Sequence, residues 1–166
     1  MSLAPITQPH HRLARFAKRA HTDTRPDGTI VVTFAAFIWS KAAPDDEGLS
    51  VNWLDHFAGA DDAKLAAVRS SMHMTPGAKD RLAIMEVGQL TSHLHAAAGR
   101  NITALHDPIA ATDRYAFPNP SHAVISGLPD ANLHNTLAQE AATFIATDCV
   151  IENLPARAAS PNAASS

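Results

Sequence analysis

The chain has 166 residues, of which 46% are hydrophobic, so it is long enough to form one domain with its own apolar core. Its formal net charge of -3 provides no overall positive field, which argues against nucleic acid as a partner. No apolar run reaches the roughly 20 residues of a membrane span. The N-terminus also lacks the apolar segment of a secretion signal, so we expect a cytoplasmic protein with no membrane contact.

The first segment with a regular pattern covers residues 10–20, which are predicted to form a short helix after a flexible lead-in over residues 1–9. Apolar side chains recur on one face of this helix at Leu13, Phe16, Ala17 and Ala20. The opposite face is basic and carries Arg12, Arg15, Lys18 and Arg19. We interpret Arg12, Arg15 and Phe16 as candidate contacts to a protein partner or to a second copy of the chain. The basic strip is equally typical of a solvated helix face.

Residues 29–39 carry the strongest strand pattern in the chain. They follow a turn signal at Asp27 and Gly28, and apolar side chains occupy both alternating faces. Such a strand is covered on both sides, so we predict that it lies at the centre of the sheet with Phe34 and Phe37 buried. Residues 49–54 predict a second strand.

The rest of the chain alternates between helical and strand patterns. In chain order these predict a helix over 61–72 with Asp61 as its cap, a strand over 82–87, a helix over 89–98 ended by Gly99, strands over 102–105 and 123–125, a helix over 130–147 and a strand over 150–154. The helix over 130–147 would turn an apolar stripe toward the core, formed by Leu133, Leu137, Phe144 and Ile145. Residues 156–166 are rich in Ala, Ser and Pro, which predicts a disordered tail.

The interleaving of helices and strands predicts an α/β or α+β fold. We expect a single layered domain over residues 10–155, with a mixed sheet of about five strands and three to four helices. The unit over residues 82–105 would form a crossover between parallel strands. The sequence shows no internal repeat and no linker long enough to separate two domains.

Two histidines frame the polar loop between the strands predicted at 102–105 and 123–125. His106 ends the first strand and His122 begins the second. If these strands pair antiparallel as neighbours, we expect the two rings to face each other at one edge of the sheet, as candidate catalytic groups. The candidate ligand-binding residues around them are Asp107, Asp113, Ser121 and, on the polar side of the strand over 49–54, Asn52.

A structural interpretation of the same stretch stays open. In it His106 caps a strand, and His122 hydrogen-bonds a backbone carbonyl. A carboxylate close to either ring would favour the catalytic interpretation, because it would orient the imidazole and raise the pKa of that histidine.

The sequence contains none of the standard catalytic, phosphate-binding or metal-binding motifs, and its ten histidines show no metal-ligand spacing. It therefore assigns no metal site and no cofactor. The single cysteine, Cys149, sits in an apolar run typical of a buried, inert thiol. Two functional hypotheses follow. One is an accessory protein that acts through a partner-binding surface. The other is a small hydrolase or transferase for a phosphorylated or nucleotide ligand, with His106 and His122 as acid and base.

Overall fold

The computed structural model describes residues 3–156 and has an α+β fold built on one large antiparallel sheet. The strands are β1 (Ala4–Pro5), β2 (Arg12–Ala17), β3 (Thr22–Thr24), β4 (Ile30–Val32), β5 (Leu49–Trp53), β6 (Arg81–Glu86), β7 (Thr103–His106), β8 (His122–Ser126) and β9 (Val150–Asn153). The helices are α1 (Asp61–Ser71), α2 (Val87–Ala98) and α3 (Asn135–Asp148), with short 3₁₀ helices at Arg19–His21, Phe34–Ala36 and Leu54–His56. The large sheet has the order β1-β7-β8-β5-β2-β6-β9, and β3 pairs with β4 in a separate hairpin.

The layered arrangement of helices on a sheet is as predicted, but the predicted sheet is too small and of the wrong kind. The observed sheet has seven strands, whereas about five were predicted. All of its neighbouring strands pair antiparallel, whereas a mixed sheet was predicted. The two strands of the crossover predicted over residues 82–105 are β6 and β7, which do run in the same direction. They are not neighbours, because β2, β5 and β8 lie between them. Local apolar patterns identify strands but do not specify which strands become neighbours.

β2 is an interior strand of the sheet, between β5 and β6, and it lies in the segment predicted as a helix over residues 10–20. β2 pairs with β6 along six residues and with β5 at Leu13 and Ala14. Leu13 and Ala17 point into one core. Ala14 and Phe16 point into the other. The helix prediction is wrong because a strand covered on both faces is apolar at most positions, and such a run also satisfies helical spacing.

Residues 29–39 do not form the central strand that the sequence predicts. The predicted turn joins β3 to β4, with Gly28 at a φ of 84°. After β4 the chain enters a 3₁₀ helix. Phe37 is buried as predicted, with 1% of its surface exposed, whereas Phe34 is 42% exposed. A continuous apolar run does not distinguish a strand from another partly buried segment, which is why the prediction fails here.

Helices cover the two faces of the large sheet unequally. On one face, called here the two-helix face, α2, α3 and the 3₁₀ helix at Phe34–Ala36 close the larger core around Leu13, Phe37, Leu94 and Ile125. On the other face, called the α1 face, the side chains of α1 pack over β2 and β6 around Val68, Met72, Leu82 and Ile84. The β5 and β8 part of the α1 face is left to the loop over residues 107–121.

The inner face of α3 differs from the predicted stripe. Its buried side chains are Ala138, Ala141, Ala142 and Ile145, whereas Leu133, Leu137 and Phe144 are exposed. A face of small side chains lets α3 pack closely against the layer beneath it, so the larger side chains remain outside. The helix also begins at Asn135 instead of Asp130, whose carboxylate accepts hydrogen bonds from the backbone of Lys41 and Asn132.

Several local predictions are confirmed. α1, β5, β6 and β9 lie close to the predicted positions, and α2 ends at Gly99 in the left-handed conformation, with a φ of 61°. The lead-in over residues 1–9, predicted to be flexible, differs from its prediction, because β1 pairs with β7 and Ile6 is buried. Residues 157–166 of the predicted tail lie outside the described residues. Between residues 3 and 156, no helix has the length and apolar character needed to cross a membrane.

Candidate functional site

The two candidate histidines lie on neighbouring strands but on opposite faces of the sheet. β7 and β8 pair antiparallel, as predicted, with His106 opposite Ala123. The next backbone hydrogen bond joins Asp107 N to His122 O, so His122 lies opposite Asp107. Because successive side chains in a strand alternate between faces, His106 and His122 point away from each other. The expectation that the two rings face each other is therefore wrong.

His106 belongs to a group of packed rings. Its Nε2 donates a hydrogen bond to Pro120 O at 2.7 Å, and its ring centroid lies 5.2 Å from that of Trp53 and 5.3 Å from that of His56. The pKa of His56 lies below its ordinary value, because burial and then the charge of His106 disfavour the imidazolium form. We call Trp53, His56 and His106 the His106 cluster.

His122 lies on the α1 face, where Asp107 holds its ring. His122 Nδ1 is 2.7 Å from Asp107 O and 3.3 Å from Asp107 Oδ2. A carbonyl oxygen only accepts hydrogen bonds, so Nδ1 carries the hydrogen and Nε2 of the neutral ring carries the lone pair. His122 Nε2 is accessible and makes no hydrogen bond to any residue between 3 and 156.

A buried polar network fixes the strands beside His122. Asn52 lies opposite His122 in the pairing of β5 with β8. Its Oδ1 accepts a hydrogen bond from Asn119 Nδ2 at 2.8 Å, and Ser121 Oγ lies 3.3 Å from the same oxygen and 3.0 Å from Asn119 Oδ1. Ser121 is completely buried, whereas Asn52 Nδ2 makes no hydrogen bond within the described part of the chain. The network joins β5 to the end of the loop over residues 107–121.

A cavity of about 290 Å³ lies against His122 and Asn52. We call it the His122 cavity. Its apolar walls are formed by Phe16, Met72, Met74, Ile109 and Tyr115. His73 stacks on Tyr115 with ring centroids 4.3 Å apart, and its Nε2 donates a hydrogen bond to Phe117 O at 2.7 Å. These contacts tie the loop over residues 107–121 to the segment that follows α1.

Arg15 also lines the His122 cavity. The β2–β5 pairing ends at Ala14, so Arg15 lies where the two strands are no longer paired. Its side chain starts on the two-helix face, where Nε donates to Ala36 O at 3.0 Å, and its Nη1 donates to the β5 backbone at Ser50 O at 2.6 Å. Burial lowers the pKa of Arg15 to about 10, which leaves the guanidinium charged near neutral pH. Arg15 and Phe16, predicted as partner contacts on a helix, thus lie beside His122 instead.

Arg12, the third predicted partner contact, is held by carboxylates of its own chain. Its Nη2 lies 2.9 Å from Asp55 Oδ1 and 2.8 Å from Asp61 Oδ1, while Lys64 Nζ lies 2.6 Å from Asp55 Oδ1. Burial alone would raise the pKa of Asp55, but the hydrogen bonds from Arg12 and Lys64 hold it well below its ordinary value. This network attaches the first turn of α1 to β2.

The remaining sequence candidates lie away from the His122 cavity. Asp113 is exposed at the tip of the loop, within the turn closed by Thr112 and Tyr115. Burial raises the pKa of Cys149 to about 11, so its thiol stays protonated near neutral pH. From the sequence, His73 between Met72 and Met74 is typical of packing rather than of a copper site. Sequence reasoning did not single out Tyr115, for which the only local signal is an aromatic residue in a polar loop.

No family model, curated protein or solved structure matches this chain. In the part of the chain that the structure describes, no three His, Cys, Asp or Glu side chains converge in a way that could hold a metal ion.

Proposed function

We propose that the protein binds a small ligand in the His122 cavity and uses His122 as a general base in a hydrolase or transferase reaction. The observation that carries this proposal is the orientation of one ring, with Nδ1 held by Asp107 and Nε2 free. A histidine whose tautomer and orientation are fixed in this way presents a lone pair that can accept a proton from a bound reactant.

The surroundings of His122 support this role. The cavity walls are largely apolar, and the free Asn52 Nδ2 is a hydrogen-bond donor on the same cavity. In the proposed step, Nε2 takes the proton of water or of a ligand hydroxyl as its oxygen bonds to a carbonyl or phosphoryl centre, and Asn52 stabilises the charge that develops. The bond from that centre to the leaving oxygen then breaks, and the leaving oxygen takes the proton back from Nε2. His106 has no part in this step.

Hydrolysis of an activated ester such as p-nitrophenyl acetate tests the proposal. We expect H122A to lower the rate above background by about 100-fold, because a positioned general base contributes roughly 100- to 10,000-fold. H106A is the matched control, since it removes the same ring from the neighbouring strand, and its rate should stay near that of the wild type. Equal rates for H122A and the wild-type protein would reject the proposal.

A second candidate function is a partner-binding accessory protein. It is favoured by the outer surface of α3, where Leu137 and Phe144 are each 45% exposed. The expected partner is another protein or a second copy of the chain, and the expected location is the cytoplasm. Sedimentation of the wild-type protein and of the double variant L137E/F144E tests this candidate, because a homo-oligomer built on this surface becomes monomeric in the variant.

A further inference from the structure

The charge of Arg15 is not balanced by a carboxylate. Its hydrogen bonds go to two backbone carbonyls, Ala36 O and Ser50 O, and within residues 3–156 it forms no ion pair. Backbone carbonyls carry only partial charges, so they solvate the guanidinium without neutralising it. Arg12, three positions earlier on the same strand, is bound by two carboxylates.

The lining of the His122 cavity has the same imbalance. Among the described residues around it there is no Asp or Glu, and Arg15 is its one Lys or Arg. The polar side-chain atoms of the lining that make no hydrogen bond among the described residues include Asn52 Nδ2, a donor, and His122 Nε2, besides the hydroxyl groups of Ser50 and Tyr115. A second cation lies close by, because Arg114 is 5.3 Å from the ring centroid of Tyr115, which lines the cavity. The cavity therefore has a positive charge that its own walls do not neutralise.

From this imbalance we infer that the ligand of the His122 cavity carries an oxyanion, a carboxylate or a phosphate ester, on a compact apolar group. Arg15 binds the oxyanion, because a guanidinium with unused N–H groups donates charge-assisted hydrogen bonds to such oxygens. The apolar group packs against Phe16, Met72 and Tyr115. This inference rests on the proposed function, since it names the ligand class of the same cavity.

The test measures binding of benzoate, phenyl phosphate and neutral benzamide to the wild-type protein by calorimetry. We expect the two anions to bind and benzamide to bind at least tenfold more weakly, because it lacks the charge that pairs with Arg15. The tighter of the two anions identifies the oxyanion. Benzamide binding as tightly as the anions, or no saturable binding of either anion, overturns the inference.

Variants of Arg15 make the test specific to this side chain. R15Q should weaken binding of the anions by roughly 10- to 100-fold, which is the value of a charge-assisted hydrogen bond. R25Q is the matched control, because Arg25 is exposed and lies outside the cavity lining. If R15Q does not fold, R15K, which keeps the charge, should still prefer the anions over benzamide. Loss of that preference in R15K or its survival in R15Q contradicts the inference.

The same samples separate this inference from the proposed function. Nitrogen chemical shifts of the His122 ring report which nitrogen carries the hydrogen. Arg15-dependent anion binding with the hydrogen on Nε2 would reject the general base and keep the anion site. The hydrogen on Nδ1 without anion binding would keep the base and reject the anion site.

Discussion

The two faces of the large sheet are covered by different kinds of structure. The two-helix face is closed by α2, α3 and a 3₁₀ helix over a continuous apolar core. The α1 face has one helix, which is attached to β2 through Arg12, Asp55, Asp61 and Lys64. Where α1 ends, polar side chains and the loop over residues 107–121 complete the cover and enclose the His122 cavity. The candidate site lies where helical cover is missing.

His106 and His122 illustrate the same difference at the scale of single residues. Each ring donates a hydrogen bond to a backbone carbonyl, one through Nε2 and the other through Nδ1. His106 is packed against Trp53 and His56, whereas His122 has an accessible nitrogen on a cavity. Because side chains alternate between the two faces of the sheet, one histidine packs among other rings and the other lines a cavity with a free nitrogen.

The largest expected effect concerns the core of the two-helix face. We expect F37A to lower the free energy of unfolding by about 3–5 kcal/mol, because Phe37 is fully buried and its removal leaves a cavity. F34A is the matched control on the same 3₁₀ segment. With Phe34 42% exposed, its truncation should cost clearly less. Urea denaturation measures both, and equal losses would contradict the assigned burial.

An intermediate effect is expected for the network that attaches α1. D55N should lower the free energy of unfolding by about 2 kcal/mol at pH 7, because Arg12 and Lys64 lose the negative charge that they share and one of its two acceptor oxygens. D45N, an exposed carboxylate in a loop, is the control and should change stability by less than about 0.5 kcal/mol.

The same variant has a predictable pH dependence. Because the pKa of folded Asp55 lies below that of the unfolded chain, about 3.9, its contribution is complete above that value and is lost as the pH falls through the folded pKa. The stability difference between wild type and D55N should therefore shrink on acidification below about pH 4. A difference that stays constant down to pH 2 would remove Asp55 from the network.

The smallest expected effect is a shift in the titration of His56. H106A removes the neighbouring charge that helps to lower the pKa of His56, so this pKa should rise toward its ordinary value while burial keeps it below. H122A, on the other face, should leave it unchanged. NMR titration of the His56 ring resolves these cases, and an identical curve in H106A would show that the two rings do not interact.

Local patterns predicted many of the elements but not their arrangement. α1, α2, β6 and β9 could be predicted because glycines and apolar periodicity are encoded within each segment. The cap of α1 could not, because Ala60 occupies the cap position and Asp61, predicted as the cap, is the first helical residue and pairs with Arg12. The position of β2 could not, because the spacing of Leu13, Phe16 and Ala17 suits a helix as well as a strand covered on both faces. Burial on both faces depends on β5 and β6, which are distant in sequence.

For the candidate site, too, the sequence indicated residues but not how they are arranged in space. The sequence drew attention to His122, Asp107 and Asn52 because they flank strand ends, and the structure places these three side by side. It does not reveal that His106 faces away, because the register of β7 against β8 decides this. The position of Arg15 was also hidden. A missing counter-ion is a property of the folded chain, and no spacing within the sequence reports it.

The interior position of β2 in the sheet has a consequence for how the chain is made. β2 is complete at Ala17, but its partners β5 and β6 end only at Trp53 and Glu86. Pairings so distant in sequence form slowly, because a long loop must close before any contact rewards it. During synthesis the apolar side chains of β2 therefore lack one of their two neighbouring strands until more than half of the chain has been made. We therefore expect this early segment to be the part of the nascent chain that chaperones bind and that aggregates when they are absent.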